Sequence, residues 1–292
     1  EGRCAQEVAG DDFFVNKQGM RIATRYWEPA AATGCLAVVV HGFGEHAERY
    51  AELARALAKS GFVVAALDHQ GHGRSEGDRT YVEKFQDYVD DLLQFVEDVC
   101  LKRKFPGIVQ KVVLIGHSMG GLIATTAVVR RQELFHALVL SGPALDVKPQ
   151  DKSFVAVLAA KILSAWLPKL QVAHLPVSGI SRDRQILHRF LNDPLVYKGG
   201  MRARWVEQAL KTQDFVFERT ASVTLPLLVF HGSSDQLVPL CASQRLVAHA
   251  GSTDKTLHVL PGGYHEILFE QPTFCIHKTL LPWLQARVMQ LN

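Results

Sequence analysis

The sequence predicts an α/β fold, with a mostly parallel central sheet flanked by helices and a helical cap inserted late in the chain. Three observations carry that expectation. Continuous apolar runs at 36–40, 62–67 and 137–140 read as strands buried on both faces. Stretches with apolar residues three and four apart lie between the strands, as in amphipathic helices. A further apolar run, Lys111 to Ile115, ends in Gly116-His117-Ser118-Met119-Gly120-Gly121 and passes straight into a helix-like segment, Leu122–Arg131. Strands alternating with helices place a parallel sheet between two helical layers.

In chain order, residues 1–10 are small and polar and are expected to be mobile. Phe13–Val15 and Met20–Trp27, separated by Asn16-Lys17-Gln18-Gly19, read as a hairpin. Leu36–Val40 leads into His41-Gly42-Phe43-Gly44, and Tyr50–Lys59 is an amphipathic helix stopped by Gly61. Phe62–Leu67 leads to Asp68 and the glycine-rich loop Gln70–Ser75. Phe85–Lys104 has helical periodicity, with acids early and bases late as the helix dipole prefers. After the strand at 137–140 no clear strand appears until about residue 222. That gap contains helical patterns at 154–170, 182–191 and 202–212. Residues 146–221 therefore read as the cap, and 1–145 with 222–292 as the core. The sheet resumes at 225–230 and 256–260, and a last helix spans roughly 272–290.

The chain has 292 residues, 48% hydrophobic and 21% charged, which is an ordinary globular composition. A net charge of +3 excludes a nucleic-acid-binding surface of the usual kind. The odd, scattered set Cys4, Cys35, Cys100, Cys241 and Cys275 fits a reducing, cytoplasmic setting better than a disulfide framework, with one bridge still open. The chain begins at Glu1 rather than methionine, so a targeting segment before it is an open matter. No apolar stretch is long enough for a transmembrane helix.

Strand, Gly-x-Ser-x-Gly turn and helix together form the nucleophile elbow of an α/β-hydrolase fold. A serine hydroxyl is a weak nucleophile and needs a base, which needs an orienting acid. In this fold the chain order is Ser, then Asp or Glu, then His. Asp235 follows the strand at 225–230 and His265 the strand at 256–260, so both open at the sheet edge that holds Ser118. Asp146 is the alternative acid, and His258, inside a strand, is a structural histidine. The oxyanion of the tetrahedral intermediate needs donors, expected from the backbone N–H groups of Met119 and Phe43. Asp68-His69-Gln70-Gly71-His72 has metal-ligand residue types, but no further cluster accompanies it and it reads as a tight turn lining the pocket. No phosphate-cradling or dinucleotide motif is present, so neither a metal nor a cofactor is expected.

These motifs in order resemble the monoacylglycerol lipase and lysophospholipase-like serine hydrolases. The matching pieces are His41-Gly42-Phe43-Gly44-Glu45-His46 with Arg49-Tyr50, then Asp68–Gly77, Gly116–Gly121, Asn192-Asp193-Pro194-Leu195 and the Asp235 and His265 loops. The resemblance runs from about Asn16 to the C-terminus. It implies a lipase or esterase releasing fatty acid and glycerol from monoacylglycerols, with lysophospholipase or general carboxylesterase activity as the alternative. It also implies that Glu45 and Arg49 help form the polar pocket for the glycerol end. A plain ion pair four residues apart is the other reading of those two. Phe43 stands where that family usually has a small residue, Phe190 where it has a tyrosine and Leu268 where it has a second histidine. A hydrolase fold can also become a non-catalytic receptor. Finally, the segment 154–170 is apolar on almost every face, with only Lys161 and Lys169 charged and Trp166 suited to an interface. It is expected either to dock the cap on a membrane surface or to bury itself against the domain or a second copy.

Overall fold

In the computed structural model, residues 6–7, 12–147 and 154–289 are described. The strands are β1 (Gln6–Glu7), β2 (Asp12–Val15), β3 (Arg21–Glu28), β4 (Cys35–Val40), β5 (Val63–Leu67), β6 (Lys111–His117), β7 (Ala137–Ser141), β8 (Gln171–Ala173), β9 (Met201–Arg202), β10 (Leu227–Gly232) and β11 (Lys255–Leu260). The main sheet has the order β1-β3-β5-β4-β6-β7-β10-β11, with β2 also on β3. From β5 to β11 all pairs are parallel, and β3 is antiparallel to β5, β2 and β1. Phe13 faces Ala23 and Phe14 faces Ile22, so the expected hairpin is present.

The all-apolar strands follow from two covered faces. Side chains alternate along a strand. In β4, Leu36, Val38 and Val40 enter one core while Ala37 and Val39 enter the other. The first core is roofed by α2 (Phe85–Gln94) and α3 (Met119–Arg131), and the second by α1 (Ala51–Lys59) and the C-terminal helices. Residues 95–104 continue the axis of α2 as a π-helix, closed by the Phe105 N–H on the Cys100 carbonyl.

Between β7 and β10 lie α4 (Phe154–Trp166), α5 (Arg184–Asn192), α6 (Ala203–Arg219) and the antiparallel pair β8/β9. Two differences from expectation appear here. The helix of 154–170 stops at Trp166, because Pro168 lacks an N–H and disfavours helical geometry in the residue before it. The pair β8/β9 was not expected, since strands of three and two residues are too short to show an alternation. Residues 148–153, where the expected cap begins, lie outside the described residues, as does most of the N-terminal ten. Within those ten, Gln6–Glu7 pair with Glu28 and Trp27 of β3.

After β10 come α7 (Leu240–His249), α8 (Ile267–Glu270) and, beyond a π-helix at Thr273–Leu280, α9 (Leu281–Val288). Cys35, Cys100, Cys241 and Cys275 are free, and Cys4 lies outside the described residues. Among the described residues no helix is long and apolar enough to cross a membrane.

Candidate active site

The elbow is strained at one residue. Ser118, between β6 and α3, has φ 52° and ψ −120°, a region that side-chain-bearing residues rarely enter. Its backbone is held from several sides. The Ser118 N–H donates to the Ser141 carbonyl at 3.0 Å, and the Ser118 carbonyl accepts from Gly121 and Ala144, each at 2.9 Å. The flanking glycines are there for space. A Cβ on Gly120 would lie 2.0 Å from the Val40 carbonyl oxygen and 2.5 Å from that of His41, and one on Gly116 would lie 2.5 Å from the Gly120 oxygen. Neither contact is possible, so α3 packs against the ends of β4 and β6 only with glycine at both places.

Asp235 and His265 arrive from the ends of β10 and β11. The Asp235 Oδ2 accepts from His265 Nδ1 at 2.7 Å, and its Oδ1 accepts from the Leu237 and Val238 N–H groups at 2.8 and 3.0 Å. One oxygen thus closes the turn while the other orients the imidazole. The His265 ring lies 4.8 Å from that of His117, the residue before Ser118. Burial pushes the Asp235 carboxyl up, but His265, by charge and by hydrogen bond, leaves it below the ordinary aspartate range. For His265 burial pulls the pKa down. Asp235, then Glu266 and Glu45, more than reverse this and hold it above the usual histidine value. The neighbouring His117 is different: burial, then the charge of His265, bring it to about 3, so it stays neutral and bonds the Ser141 carbonyl through Nδ1.

Met119 opens α3, where an N–H has no acceptor within its own helix. Phe43 lies in the loop after β4, between Gly42 and Gly44. The Gly42 N–H donates to Glu45 Oε1 at 2.6 Å, and the Gly44 carbonyl accepts from Tyr197 N at 2.7 Å. The Phe43 side chain packs on Trp205 of α6, with centroids 4.6 Å apart, and edge-on against His72 at 5.9 Å.

Glu45 and Arg49 are both buried and bonded to each other. A third charged residue joins them: Glu266, directly after His265, takes Arg49 Nη1 at 2.7 Å and Nη2 at 2.9 Å on its two oxygens. Tyr50 donates its hydroxyl to Glu45 Oε1 at 2.6 Å. The guanidinium also lies 5.0 Å from the rings of both Phe190 and Phe269. Burial alone would raise the Glu45 carboxyl, but Arg49, His117, His41 and the Tyr50 hydroxyl bring it down to about 2. Glu266 is raised, because its burial outweighs Arg49.

The chain has known relatives. The family described as Serine aminopeptidase, S33, matches residues 33–272. The human monoglyceride lipase is 36% identical over 98% of this chain and 94% of its own length. The monoacylglycerol lipase of Mycolicibacterium smegmatis is 33% identical over 94% of this chain and 96% of its own. The chain belongs to the monoacylglycerol lipase-like serine hydrolases. The crystal structure of the Paleococcus ferrophilus monoacylglycerol lipase superposes with a TM-score of 0.80 at 27% identity, covering 92% of this chain and 99% of that one. The fold is that of the α/β-hydrolases, and the activity class is carboxylic ester hydrolysis.

Within this hydrolase family the departures acquire a setting. Leu268 is buried in the second core, with Ile267 and Ile276, so the position is occupied by packing rather than by a polar wall. Phe190 of α5 lies in a small cluster with Ile180 and Val196, against Leu237 of the Asp235 loop. The motif Asn192-Asp193-Pro194-Leu195 also reaches the loop after β4: Asp193 Oδ2 holds His46 Nε2 at 2.8 Å. Of the alternatives, Asp146 is paired with Arg245 at 2.7 Å, and His258 stacks on Phe230 at 5.7 Å. In the Asp68–His72 turn, the Asp68 oxygens accept from the Ala47 and Arg74 N–H groups, each at 2.8 Å, so its carboxylate braces the loop. Glu266 is the site residue that sequence reasoning passed over. The one available signal was a carboxylate directly beside the histidine.

Proposed function

We propose that this hydrolase cleaves monoacylglycerols to fatty acid and glycerol through an acyl-enzyme. The observation that carries the reading is the 2.7 Å pairing of His265 with Asp235 at the sheet edge where the strained Ser118 elbow emerges. Ser118 Oγ attacks the ester carbonyl and His265 takes its proton. Asp235 keeps Nδ1 protonated, so that Nε2 is the accepting nitrogen, and it stabilises the imidazolium. The Phe43 and Met119 N–H groups hold the oxyanion, each worth about 3 kcal/mol of barrier. His265 then returns the proton to the leaving glycerol oxygen, and water, activated the same way, releases the fatty acid. No step calls for a metal or cofactor.

The leaving group must sit beside His265, hence beside Glu45, Arg49 and Glu266. That cluster has two carboxylates for one guanidinium. Arg49 is thus already neutralised, and a phosphodiester headgroup would meet a surplus of negative charge. A neutral glycerol fits better, with the Glu45–Arg49 pair at the polar end of its pocket. This favours monoacylglycerol over lysophospholipid. With acyl chains matched, kcat/KM for the monoacylglycerol is expected to exceed that for lysophosphatidylcholine by about tenfold or more, ~1.4 kcal/mol of transition-state preference. Equal or reversed values in a substrate panel that includes a short ester would move the assignment to lysophospholipase or general esterase.

We also propose that residues 146–221 act as a cap that docks on a membrane. Trp166 is 82% exposed, and Ile162, Leu167, Leu158 and Leu170 are each near half exposed. Ala160 and Ser164 are the buried side of α4, whose neighbour is α6. The outward side is therefore the apolar one, unusual for a surface helix and suited to a bilayer interface. Liposome flotation of wild type beside the triple variant Ile162→Ser, Trp166→Ser, Leu167→Ser checks this. Wild type is expected to float and the variant to stay in solution, with hydrolysis of a dissolved short ester unchanged. Equal behaviour of the two proteins would leave the helix a lid only.

A further inference from the structure

We propose that Glu266 is a positioning residue for the reaction: with Glu45 it clamps Arg49 between the oxyanion loop and the histidine loop, and its charge supports the imidazolium of His265. The inference rests on the Ser118–His265–Asp235 reading above and adds a second carboxylate to it.

The connection is continuous and buried. It runs from the His265 loop through Glu266 to both terminal nitrogens of Arg49, on to Glu45, and from Glu45 to the Gly42 N–H beside the Phe43 oxyanion donor. The base and one oxyanion donor, contributed by segments more than 200 residues apart, are thereby held in one rigid body. The backbone fixes the same loop from its other side, where the Glu266 N–H donates to the Ile180 carbonyl at 3.0 Å. A guanidinium presents a planar fork that two carboxylates can grip without freedom to rotate, which a lysine would not offer.

The arrangement is also electrostatic. Burying charge is costly, and a structural clamp needs only one carboxylate per guanidinium. Here there are two, so the cluster carries one surplus negative charge when both are ionised. The groups facing His265 are Asp235 with His231 behind it, the neutral His117, and Glu45 and Glu266 on either side of Arg49. When Ser118 gives up its proton, His265 becomes cationic while the substrate oxygen becomes anionic. Asp235 alone opposes the desolvation of that cation from one side, and the surplus charge opposes it from the other. Both Glu266 and Glu45 raise the His265 pKa.

The test is the pH profile of kcat/KM on a soluble short ester, which has no glycerol end to bind. Glu266→Gln keeps the shape and an oxygen acceptor for Arg49 but removes the charge. Hydrolysis needs neutral His265, so activity rises as pH rises through the His265 pKa. Removing a negative neighbour lowers that pKa, and the acid limb is expected to move down by about 0.5–1 pH unit. The kcat is expected to fall about 5- to 30-fold with KM within about twofold, as for a group acting on the transition state. Glu266→Asp, which retains the charge, is expected to keep the wild-type limb. A merely structural residue would lower kcat or thermal stability without moving the limb, so an unmoved limb in Glu266→Gln overturns the proposal. If that variant is not recovered folded, Glu266→Ala gives the same reading. A wild type that neither hydrolyses the ester nor takes a serine-directed phosphonate label fails the triad reading instead, so the two failures are distinguishable.

Discussion

Replacing Ser118 with alanine is expected to lower kcat on any ester by about 10⁴-fold or more while leaving the fold intact. The chemistry loses its only nucleophile, and the residual rate reflects binding and the oxyanion donors alone. The fold should hold because what fixes this residue is backbone. Its N–H on Ser141 and its carbonyl, which accepts from Gly121 and Ala144, survive the change. Alanine also takes the φ of 52° at a cost similar to that of serine, since both carry a Cβ. The measurement is kcat on a chromogenic ester with the melting temperature beside it. More than about a tenth of wild-type kcat in a folded variant would remove Ser118 from the nucleophile's role.

The parts of the fold legible in the sequence are those governed by local physics. An unbroken apolar run such as Leu36–Val40 has few alternatives to a strand covered on both faces, and that is where it sits. Gly116 and Gly120 were readable for the same reason: the elbow tolerates no Cβ, so the glycines advertise it. Asp235 is expected from the sequence as an orienting acid; one of its oxygens accepts from His265 Nδ1 and the other from the turn N–H of Leu237. That duality is invisible to a reading that assigns each residue one part.

The parts that were not legible depend on distance along the chain. Glu45 and Arg49 read as an exposed pair one helical turn apart, or as a polar pocket. Neither reading contains Glu266, 217 positions beyond Arg49. Burial decides how that cluster behaves, and burial is a property of the assembled molecule. The same holds for α4. Hydrophobicity all round a helix normally means burial. Yet Trp166 and its neighbours are exposed, because among the described residues α4 packs on α6 by its inner side and presents its outer side to solvent. The link from Asp193 to His46 could not be assigned either, since the two residues lie 147 positions apart and meet only in the assembled fold.

Asp235→Asn is expected to cost about 10³- to 10⁴-fold in kcat with little loss of stability. The asparagine Oδ1 can keep accepting from the Leu237 and Val238 N–H groups, so the turn survives. Its amide nitrogen then faces His265 Nδ1, where a carboxylate oxygen stood at 2.7 Å. Two donors cannot bond, so the imidazole must place its proton on Nε2 and turn Nδ1 into an acceptor. The nitrogen that should take the Ser118 proton is then already protonated, and the base is lost without any displacement of the ring. The charge is lost as well. Asp235 is the strongest influence holding the His265 pKa up against burial, so the acid limb of any residual activity should also move to lower pH. Both effects are read from one kcat/KM profile against pH. A variant within about tenfold of wild type, with its acid limb unmoved, would mean that another acid orients His265. Asp146 would be the first to examine, although it is already committed to Arg245.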